Sequence, residues 1–453
     1  MTRHTRSWAT SSLSRRQLLS GAAAGAASLA LASPLSAYAA SSARPSPAAD
    51  FEADVATAWF DLMLRLIRQT PGYSPPVASR AIGCAGLGLY EALVPGMPGY
   101  RSLAGVVTDL PRLPADGQNP AYHWPSVANG TLAAMMRGQF PTAPAELQGA
   151  IDALEASLEA DVPSGLRKRS IERGYSVAAA IGDWAKGDGG HEGYLRNFPT
   201  SYVPPPGPGK WVSTPPGNLR ALQPFWGSNR CMALVSADEG HPGPHPDYST
   251  DEGSGFFAEA AEVFEAVEGL SAEQRAIALF WADAAGTSTP PGHSISILTQ
   301  VLTSEESSLA VAAEAYARLG IAACDAFIAC WKVKYEYNLL RPITYIRANI
   351  EPTWGDPLPV TTPPFPEYTS GHSVQSGAMA EVLTALFGVM SFTDHTHDGI
   401  GLPARSFDSF DDAAHEAAMS RLYGGIHYRS AIENGLEQGR AIGKKVTALP
   451  MKG

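Results

Sequence analysis

The chain has 453 residues, of which 45% are hydrophobic and 17% are charged. It is therefore long enough to bury a large core, and its composition is that of an ordinary globular protein. Its formal net charge of -11 argues against nucleic acid or an anionic membrane as a partner. An acidic protein that binds an anion must concentrate its lysines and arginines locally.

Residues 1–39 contain the three parts of an export signal in the usual order. The segment 14–19, SRRQLL, resembles a twin-arginine motif, an Ala-rich apolar run follows, and 37–39 offer a small-x-small cleavage site. We expect the mature protein to be periplasmic or extracellular. We expect no stable membrane insertion, because no later stretch reads as a membrane span.

The remaining chain is predicted to be all-α, a helical-bundle architecture with two helical halves. Apolar residues recur at helical spacing almost throughout, and no stretch alternates as a strand would. The predicted divisions are a linker at 40–51, an N-terminal helical half at 52–188, a Pro/Gly-rich ordered connection at 189–253 and a C-terminal helical half at 254–453. The four cysteines show no metal-ligand spacing, and a bridge between Cys84 and Cys231 is left open.

The first of three notable motifs is the run 334–342, KYEYNLLRP. Lys334 and Arg341 are seven residues apart, so a continuous helix would place them on one stripe, roughly 10 Å apart along the axis. Both could then reach one anion, Arg with a planar fork and Lys with a point charge. We expect Pro342 to end this helix. Taken alone, the motif is also typical of a solvated surface stripe.

The second motif is the run 369–372, TSGH, which precedes an apolar helical pattern. Ser or Thr at this place predicts a helix N-cap, and the free backbone N–H groups of a helix start can bind an anion. Gly371 would let the backbone approach that anion closely, and His372 could move protons beside it. An ordinary capped helix with a surface histidine fits the tetrapeptide equally well.

The third motif is the run 420–427, SRLYGGIH. A glycine pair breaks a helix, so Arg421 and His427 could converge across the bend. A helix corner with a buried histidine is the alternative. Three such motifs in order indicate a site for an oxyanion, either vanadate or a phosphoryl group in transfer.

Together the motifs resemble those of the vanadium-dependent haloperoxidases and the type 2 phosphatidic acid phosphatases, which share one fold and one anion site. The run 331–342 is similar to the haloperoxidase form of the first motif. The run 363–372, PPFPEYTSGH, resembles the fungal chloroperoxidase form of the second. The resemblance is specific over about 331–445 and looser over 254–330.

This resemblance implies a vanadate cofactor, with hydrogen peroxide, halide and an organic acceptor as partners. It implies that His427 binds vanadium and that His372 is the acid–base group. The residues implied to hold the vanadate oxygens are Lys334, Arg341, Ser370, Gly371 and Arg421. A homo-oligomer is left open.

The resemblance also implies a halide pocket at Trp331 and Phe365, in which Phe365 fits chloroperoxidases better than bromoperoxidases. Two weaker similarities suggest that Asp283 braces an arginine and that His293 lines the entrance to the site.

The chain departs from the family pattern where an Asp usually follows the ligand histidine by four residues, because Ala431 occupies that position. The family's Asp orients the histidine through its other ring nitrogen. Its absence would weaken a peroxidase and, more strongly, a phosphatase, which needs a stronger nucleophile. Two rivals to the haloperoxidase stay open. One is a phosphatase that uses His427 as nucleophile, and the other is a weakened relative that binds an anion without turnover.

Overall fold

The computed structural model describes residues 46–114, 121–284 and 286–453. The predicted export signal and the first part of the predicted linker lie outside the described residues. Within the rest of that linker, Ala48–Asp50 form one 3-10 turn in which Ala48 is buried. The predicted domain boundaries stay predictions.

The described residues are predominantly helical, and the all-α prediction is confirmed. Their helices are α1 Asp54–Gln69, α2 Pro75–Leu93, α3 Trp124–Gln139, α4 Ala145–Ser157, α5 Ser164–Lys186, α6 Gly255–Glu268, α7 Ala272–Phe280, α8 Thr289–Ser304, α9 Leu309–Tyr337, α10 Pro342–Asn349, α11 Gly371–Phe387, α12 Phe410–Tyr423 and α13 Arg429–Thr447. The strands β1 (Phe392–Asp394) and β2 (Arg405–Phe407) pair antiparallel. The sequence analysis missed this hairpin because three-residue strands are too short to show alternation.

Helix α9 lies at the centre of the core and is buried on nearly every face, as expected for a helix that is apolar all round. Helix α2 packs directly against it. A Cβ on Gly83 would lie 3.0 Å from the carbonyl oxygen of Gly320, so glycine lets the two backbones approach closely. Helices from the predicted N-terminal and C-terminal halves therefore share one core.

One helical segment in the described part of the chain, Pro75–Gly96, is long and apolar enough to cross a membrane. The expectation that no later stretch would qualify by length and composition is therefore wrong. However, 94% of its most apolar window is buried inside the fold. Packing against α9 explains its apolar composition, as in the core helices of many soluble proteins.

Small residues also bring α11 and α13 together. A Cβ on Gly377 would lie 2.6 Å from the carbonyl oxygen of Leu436. A Cβ on Gly439 would overlap the carbonyl oxygen of Val374. At the start of α11, the N–H of Ser370 donates to the carbonyl oxygen of Ala431 at 3.0 Å. This close packing sets the beginnings of the two helices, and with them the second and third motifs, side by side.

The first motif folds differently from the prediction. Helix α9 ends at Tyr337, and Asn338 follows with a φ of 49°, the left-handed conformation that ends many helices. Arg341 is the N-cap residue of α10, and Pro342 begins that helix instead of ending one. The prediction of one stripe carrying Lys334 and Arg341 is therefore wrong, because proline suits the first turn of a helix.

The Pro/Gly-rich segment contains only two short 3-10 turns, Gly193–Leu195 and Trp226–Ser228. Its Trp211 and Trp226 are buried. All four cysteines are buried free thiols, which settles the open question of a Cys84–Cys231 bridge.

Candidate active site

A cavity of about 650 Å³ opens beside the three motifs. Residues distant in sequence line it, including Ile67 of α1, Tyr73 between α1 and α2, and Phe198 and Leu222 from the Pro/Gly-rich segment. The predicted site residues on its wall are Asp283, Trp331, Phe365, Gly371, His372, Arg421 and His427. The fold therefore brings the second and third motifs to one surface.

Arg341 lies fully buried behind this wall and is held by backbone oxygens. Its Nε donates to Phe365 at 2.8 Å, and its Nη1 donates to Ile426 at 2.9 Å. Its Nη2 is buried and has no hydrogen-bond partner among the described residues. Burial lowers the pKa of Arg341 to about 10. This guanidinium is thus fixed in place, with one donor group left for an acceptor that the described residues do not supply.

Arg421 lies on α12 and is also buried. Its Nε donates to the hydroxyl of Ser420 at 3.0 Å, and its Nη2 donates to the carbonyl oxygen of Trp281 at 2.8 Å. Burial lowers the pKa of Arg421 to about 10 as well. The helix and the Trp281 carbonyl together fix the direction in which this second cation faces the cavity.

Lys334 behaves differently from the two arginines. Its Nζ donates to three carbonyl oxygens, those of Pro366 at 3.1 Å, Glu367 at 2.9 Å and Thr369. An ammonium group has three N–H donors, so these contacts use all of them. Burial lowers the pKa of Lys334 to about 8. Lys334 therefore clamps the loop before α11 and contributes to the site mainly as a nearby charge.

The second motif forms the predicted helix start. Ser370 is the N-cap of α11, and its hydroxyl accepts from the N–H of Ser373 at 3.3 Å. His372 stands in the first turn, and its buried Nε2 has no hydrogen-bond partner among the described residues. Burial, followed by the charge of Arg421, lowers the pKa of His372 well below its usual range. His372 is therefore neutral at neutral pH and can accept a proton.

His427 lies in the turn between α12 and α13, just after Gly425, whose φ of +74° requires a glycine. Its Nε2 lies 3.2 Å from Nη1 of Arg341. Arginine can only donate hydrogen bonds, so Nε2 must be the unprotonated nitrogen and Nδ1 must carry the hydrogen. Burial, followed by Arg341 and Lys334, lowers the pKa of His427 well below its usual range. The ring is therefore neutral. Its Nε2 lone pair accepts from Arg341 in this structure and becomes a ligand when that hydrogen bond is released.

A residue that the sequence analysis missed contacts the other side of this ring. Oε1 of the fully buried Glu367 lies 2.7 Å from Nδ1 of His427 and accepts from the N–H of Tyr428 at 2.9 Å. The sequence offered one signal for Glu367, which is an acidic residue within the proline-rich run 363–368. Burial of an acidic side chain is costly unless the side chain is paired. The contact that the missing Asp would make with His427 therefore comes from the loop before α11.

Trp331 and Phe365 pack against each other at the cavity wall, with ring centroids 4.9 Å apart. The guanidinium carbon of Arg341 lies 4.8 Å from the centroid of Phe365. The indole N–H of Trp331 donates to the carbonyl oxygen of Leu222 at 3.2 Å, which fixes that ring. The predicted halide pocket is thus an aromatic corner beside a cation.

The predictions for Asp283 and His293 fare differently. Asp283 lines the cavity, and its Oδ2 lies 3.9 Å from Nε2 of His372. Among the described residues its ion pairs are to histidines, so it does not brace an arginine by direct contact. His293 is buried between two carboxylates, 3.0 Å from Asp283 and 2.7 Å from Asp394. The suggestion that His293 lines the entrance is therefore wrong, because the two acidic residues draw its ring into the interior.

Asp283, His293 and His397 offer ligand atoms within 4.8 Å of one another. This group carries a carboxylate and adjoins Asp394, so it suits a cation and would repel vanadate. An oxyanion fits better at the cluster of cations formed by the first and third motifs. There, Lys334, Arg341 and Arg421 are buried, and their pKa values are lowered by that burial. An anion would compensate these charges, and the free Nη2 of Arg341 and lone pair of His427 would meet it.

Comparisons with known proteins agree with this geometry. The family model described as the VCPO second helical-bundle domain matches residues 314–452, which include all three motifs. The vanadium chloroperoxidase of Curvularia inaequalis is 26% identical over 178 residues, which span 28% of this chain and 29% of the fungal enzyme. The match therefore covers less than a third of that relative's length.

Similar solved structures extend the comparison to most of the chain. A bacterial vanadium-dependent chloroperoxidase in its holo form is 17% identical, with a TM-score of 0.65 over 84% of this chain and 93% of its own, which shows a common fold. A bacterial vanadium-dependent iodoperoxidase is 36% identical, with a TM-score of 0.79 over 88% of this chain and 96% of its own. Identity and coverage at this level mean that the chain belongs to the vanadium-dependent haloperoxidases, the enzymes that its motifs resembled.

Proposed function

We propose that this protein is a vanadate-dependent haloperoxidase that oxidises a halide ion with hydrogen peroxide. The observation that carries the proposal is the grouping of three side chains at and behind the cavity wall. His372 and His427 line the cavity, and Arg341 lies behind the wall in hydrogen-bond contact with His427. Nη2 of Arg341 and Nε2 of His372 have no hydrogen-bond partner among the described residues. A metal-binding histidine, a fixed cation and an acid–base group are what this chemistry requires.

When bound, vanadate supplies a Lewis acid that activates hydrogen peroxide. The protein's own residues hold and neutralise this anion. His427 would present Nε2 as the ligand, and Arg341 and Arg421 would donate to the anion's oxygens. The N–H of Gly371 and the hydroxyl of Ser370 would do the same at the start of α11, because the N–H of Ser370 already donates to Ala431. Lys334 adds its charge through space, because its own donors are already used.

His372 is the proposed general acid–base group of the reaction. Oxidation of a halide X⁻ by H₂O₂ consumes one proton and yields HOX and water. A neutral His372 can accept a proton when the peroxide binds and return it to the departing oxygen. Asp283, 3.9 Å from its ring, stabilises the protonated form of His372 that exists between these two events.

The aromatic corner of Trp331 and Phe365 is the proposed halide position, beside the charge of Arg341. We propose iodide as the preferred halide, supported by the similarity to the bacterial iodoperoxidase over most of both chains. The chloroperoxidase-like Phe365 predicts chloride instead. A comparison of the activities with iodide and with chloride therefore distinguishes the two predictions. A cavity of about 650 Å³ is far larger than a halide needs. We therefore also propose a small, largely apolar organic acceptor.

We propose in addition that residues 1–39 export the folded protein through the twin-arginine route. The order of the arginine pair, the apolar run and the small-x-small site supports this. Replacing Arg15 and Arg16 by lysine in the full chain should retain the protein in the cytoplasm. Unchanged export of that double variant would contradict the proposal.

The decisive experiment measures oxidation of iodide, bromide and chloride by purified protein with vanadate and hydrogen peroxide. We expect activity that requires vanadate, is inhibited by phosphate and is absent in His427→Ala. Halide oxidation that is independent of added vanadate in vanadium-free protein would contradict the cofactor assignment. Hydrolysis of a phosphate ester without vanadate, together with no halide oxidation, would establish the phosphatase instead.

A further inference from the structure

The position at which related chains carry a histidine-orienting Asp is occupied here by a small residue, close to the contact between two helices. Ala431 is fully buried on α13, and its carbonyl oxygen accepts from the N–H of Ser370 at 3.0 Å. Gly435, one turn later, lies so close to α11 that a Cβ there would stand 2.8 Å from Cβ of Ser373. The tight contact between the two helices thus favours a small side chain at 431.

We propose that Glu367 is the positioning residue of the vanadium ligand, and that this role has moved from α13 to the loop before α11. The proposal rests on the proposed haloperoxidase function. Oε1 of Glu367 lies 2.7 Å from Nδ1 of His427, where a carboxylate accepts the ring hydrogen and turns Nε2 toward the anion. The same oxygen accepts from Tyr428 N–H at 2.9 Å, so it also fixes the backbone next to the ligand.

Glu367 is itself held by the first motif. Its N–H donates to the carbonyl oxygen of Leu339 at 2.9 Å, and its own carbonyl oxygen accepts from Nζ of Lys334 at 2.9 Å. Lys334 therefore fixes the backbone of Glu367, and the side chain of Glu367 fixes His427. Glu367, in the loop just before the second motif, thus links the first motif to the third. A carboxylate on α13 would contact His427 without this link to Lys334.

The two carboxylate oxygens of Glu367 differ, and this difference allows a sharp test. Oε1 accepts both hydrogen bonds, whereas Oε2 is buried without a partner among the described residues. A glutamine could keep its oxygen at the Oε1 position and both hydrogen bonds, while losing the charge. Burial raises the pKa of Glu367 to about 8, so its charge is tested above that pH. There, Glu367→Gln removes charge alone, and Glu367→Ala removes charge and contact together.

We would titrate vanadate and, separately, phosphate into apoprotein of each variant. Vanadate readily accepts a fifth ligand and so uses His427, whereas phosphate remains four-coordinate and uses only the cations. We expect Glu367→Ala to weaken vanadate binding about 10–100-fold and Glu367→Gln to weaken it less. Phosphate binding should change little in either. Glu433→Gln is the matched control, since this exposed carboxylate on α13 pairs with Arg429 and not with His427.

The family's own arrangement provides a rescue experiment. In the wild-type background, Ala431→Asp should fail to tighten vanadate binding, because Glu367 already occupies Nδ1 and a second buried carboxylate would be repelled. In the Glu367→Ala background, Ala431→Asp should restore part of the lost vanadate affinity. Tighter binding in the single Ala431→Asp variant would overturn the proposal, because it would show that His427 is still inadequately held.

The proposal also fails if Glu367→Ala binds vanadate as well as wild type, or if vanadate and phosphate binding fall equally, which indicates a purely structural role. If Glu367→Ala does not fold, the test uses Glu367→Gln instead. The deciding quantity is then the loss of vanadate affinity relative to the loss of phosphate affinity in that variant. These titrations need no turnover. A protein that binds vanadate through His427 but oxidises no halide would contradict the proposed function and leave the role of Glu367 intact.

Discussion

Arg341 directs a donor at the ligand atom of His427, with its Nη1 3.2 Å from Nε2 of the imidazole. A guanidinium never accepts a hydrogen bond, so this contact determines which ring nitrogen is free to bind a metal. Because Nη2 of the same group has no partner among the described residues, Arg341 can both set the tautomer and bind the incoming anion.

We predict that Arg341→Ala weakens vanadate binding by about 1.5–3 kcal/mol, the usual contribution of a charge-assisted hydrogen bond. Arg421→Ala should cost a similar amount, and Arg341→Lys should recover only part of the loss, because a point charge cannot replace a planar fork. Titration of vanadate into the apo variants measures this. An Arg341→Ala variant with wild-type affinity would contradict the assigned geometry.

Lys334→Met should harm the fold more than it harms anion binding. The substitution leaves the carbonyl oxygens of Pro366, Glu367 and Thr369 without their shared donor in a buried place. We expect the free energy of unfolding to fall by about 3 kcal/mol. Lys332→Met, two residues earlier on α9 with a side chain that is 41% exposed, is the matched control and should change little. Denaturant titration distinguishes the two, and equal stability of both variants would show that the clamp is unimportant.

Gly439→Ala should destabilise the protein, because its Cβ would overlap the carbonyl oxygen of Val374 in the contact between α11 and α13. Overpacking of this kind costs about 1–3 kcal/mol. The same shift would separate the starts of the two helices and weaken vanadate binding. Gly182→Ala on α5 meets nothing within 4 Å and should be neutral or stabilising by about 0.5–1 kcal/mol. Thermal melts with and without vanadate measure both effects.

His293 should stabilise the fold in a pH-dependent manner. Burial alone would lower its pKa, but the charges of Asp283 and Asp394 outweigh burial and raise the pKa from 6.5 to about 10. A raised pKa contributes stability that is complete below pH 6.5 and is lost as the pH rises through about 10. We predict that His293→Gln costs about 3–5 kcal/mol at pH 7, because it leaves two buried carboxylates without their cation.

The difference in unfolding free energy between wild type and His293→Gln should shrink as the pH approaches and passes about 10, where the wild-type imidazolium itself deprotonates. His415→Gln, on the exposed face of α12, is the control and should show no such convergence. A difference that stays constant from neutral pH to above pH 10 would mean that His293 is not a cation in the folded protein.

The sequence by itself determined the helical class, the placement of most helices and the identity of the motifs. Helical periodicity and the caps at Ser370 and at the Gly424–Gly425 pair are local signals, and local signals can be read from the chain. The anion chemistry follows from the types of residue present at 334, 341, 421 and 427. The departure from the family pattern at Ala431 is likewise a property of the sequence alone, since it needs only the spacing from His427.

Only the tertiary structure decided which side chains meet. The break after Tyr337 depends on Asn338 adopting a left-handed conformation, and such a choice is stabilised by packing beyond the local sequence. Glu367 and His427 are 60 residues apart, as are many buried partners that no periodicity connects. Their contact exists because glycines let α11 and α13 approach closely. A carboxylate in one motif can therefore replace one missing from another, a relationship that depends on distance in space and not along the chain.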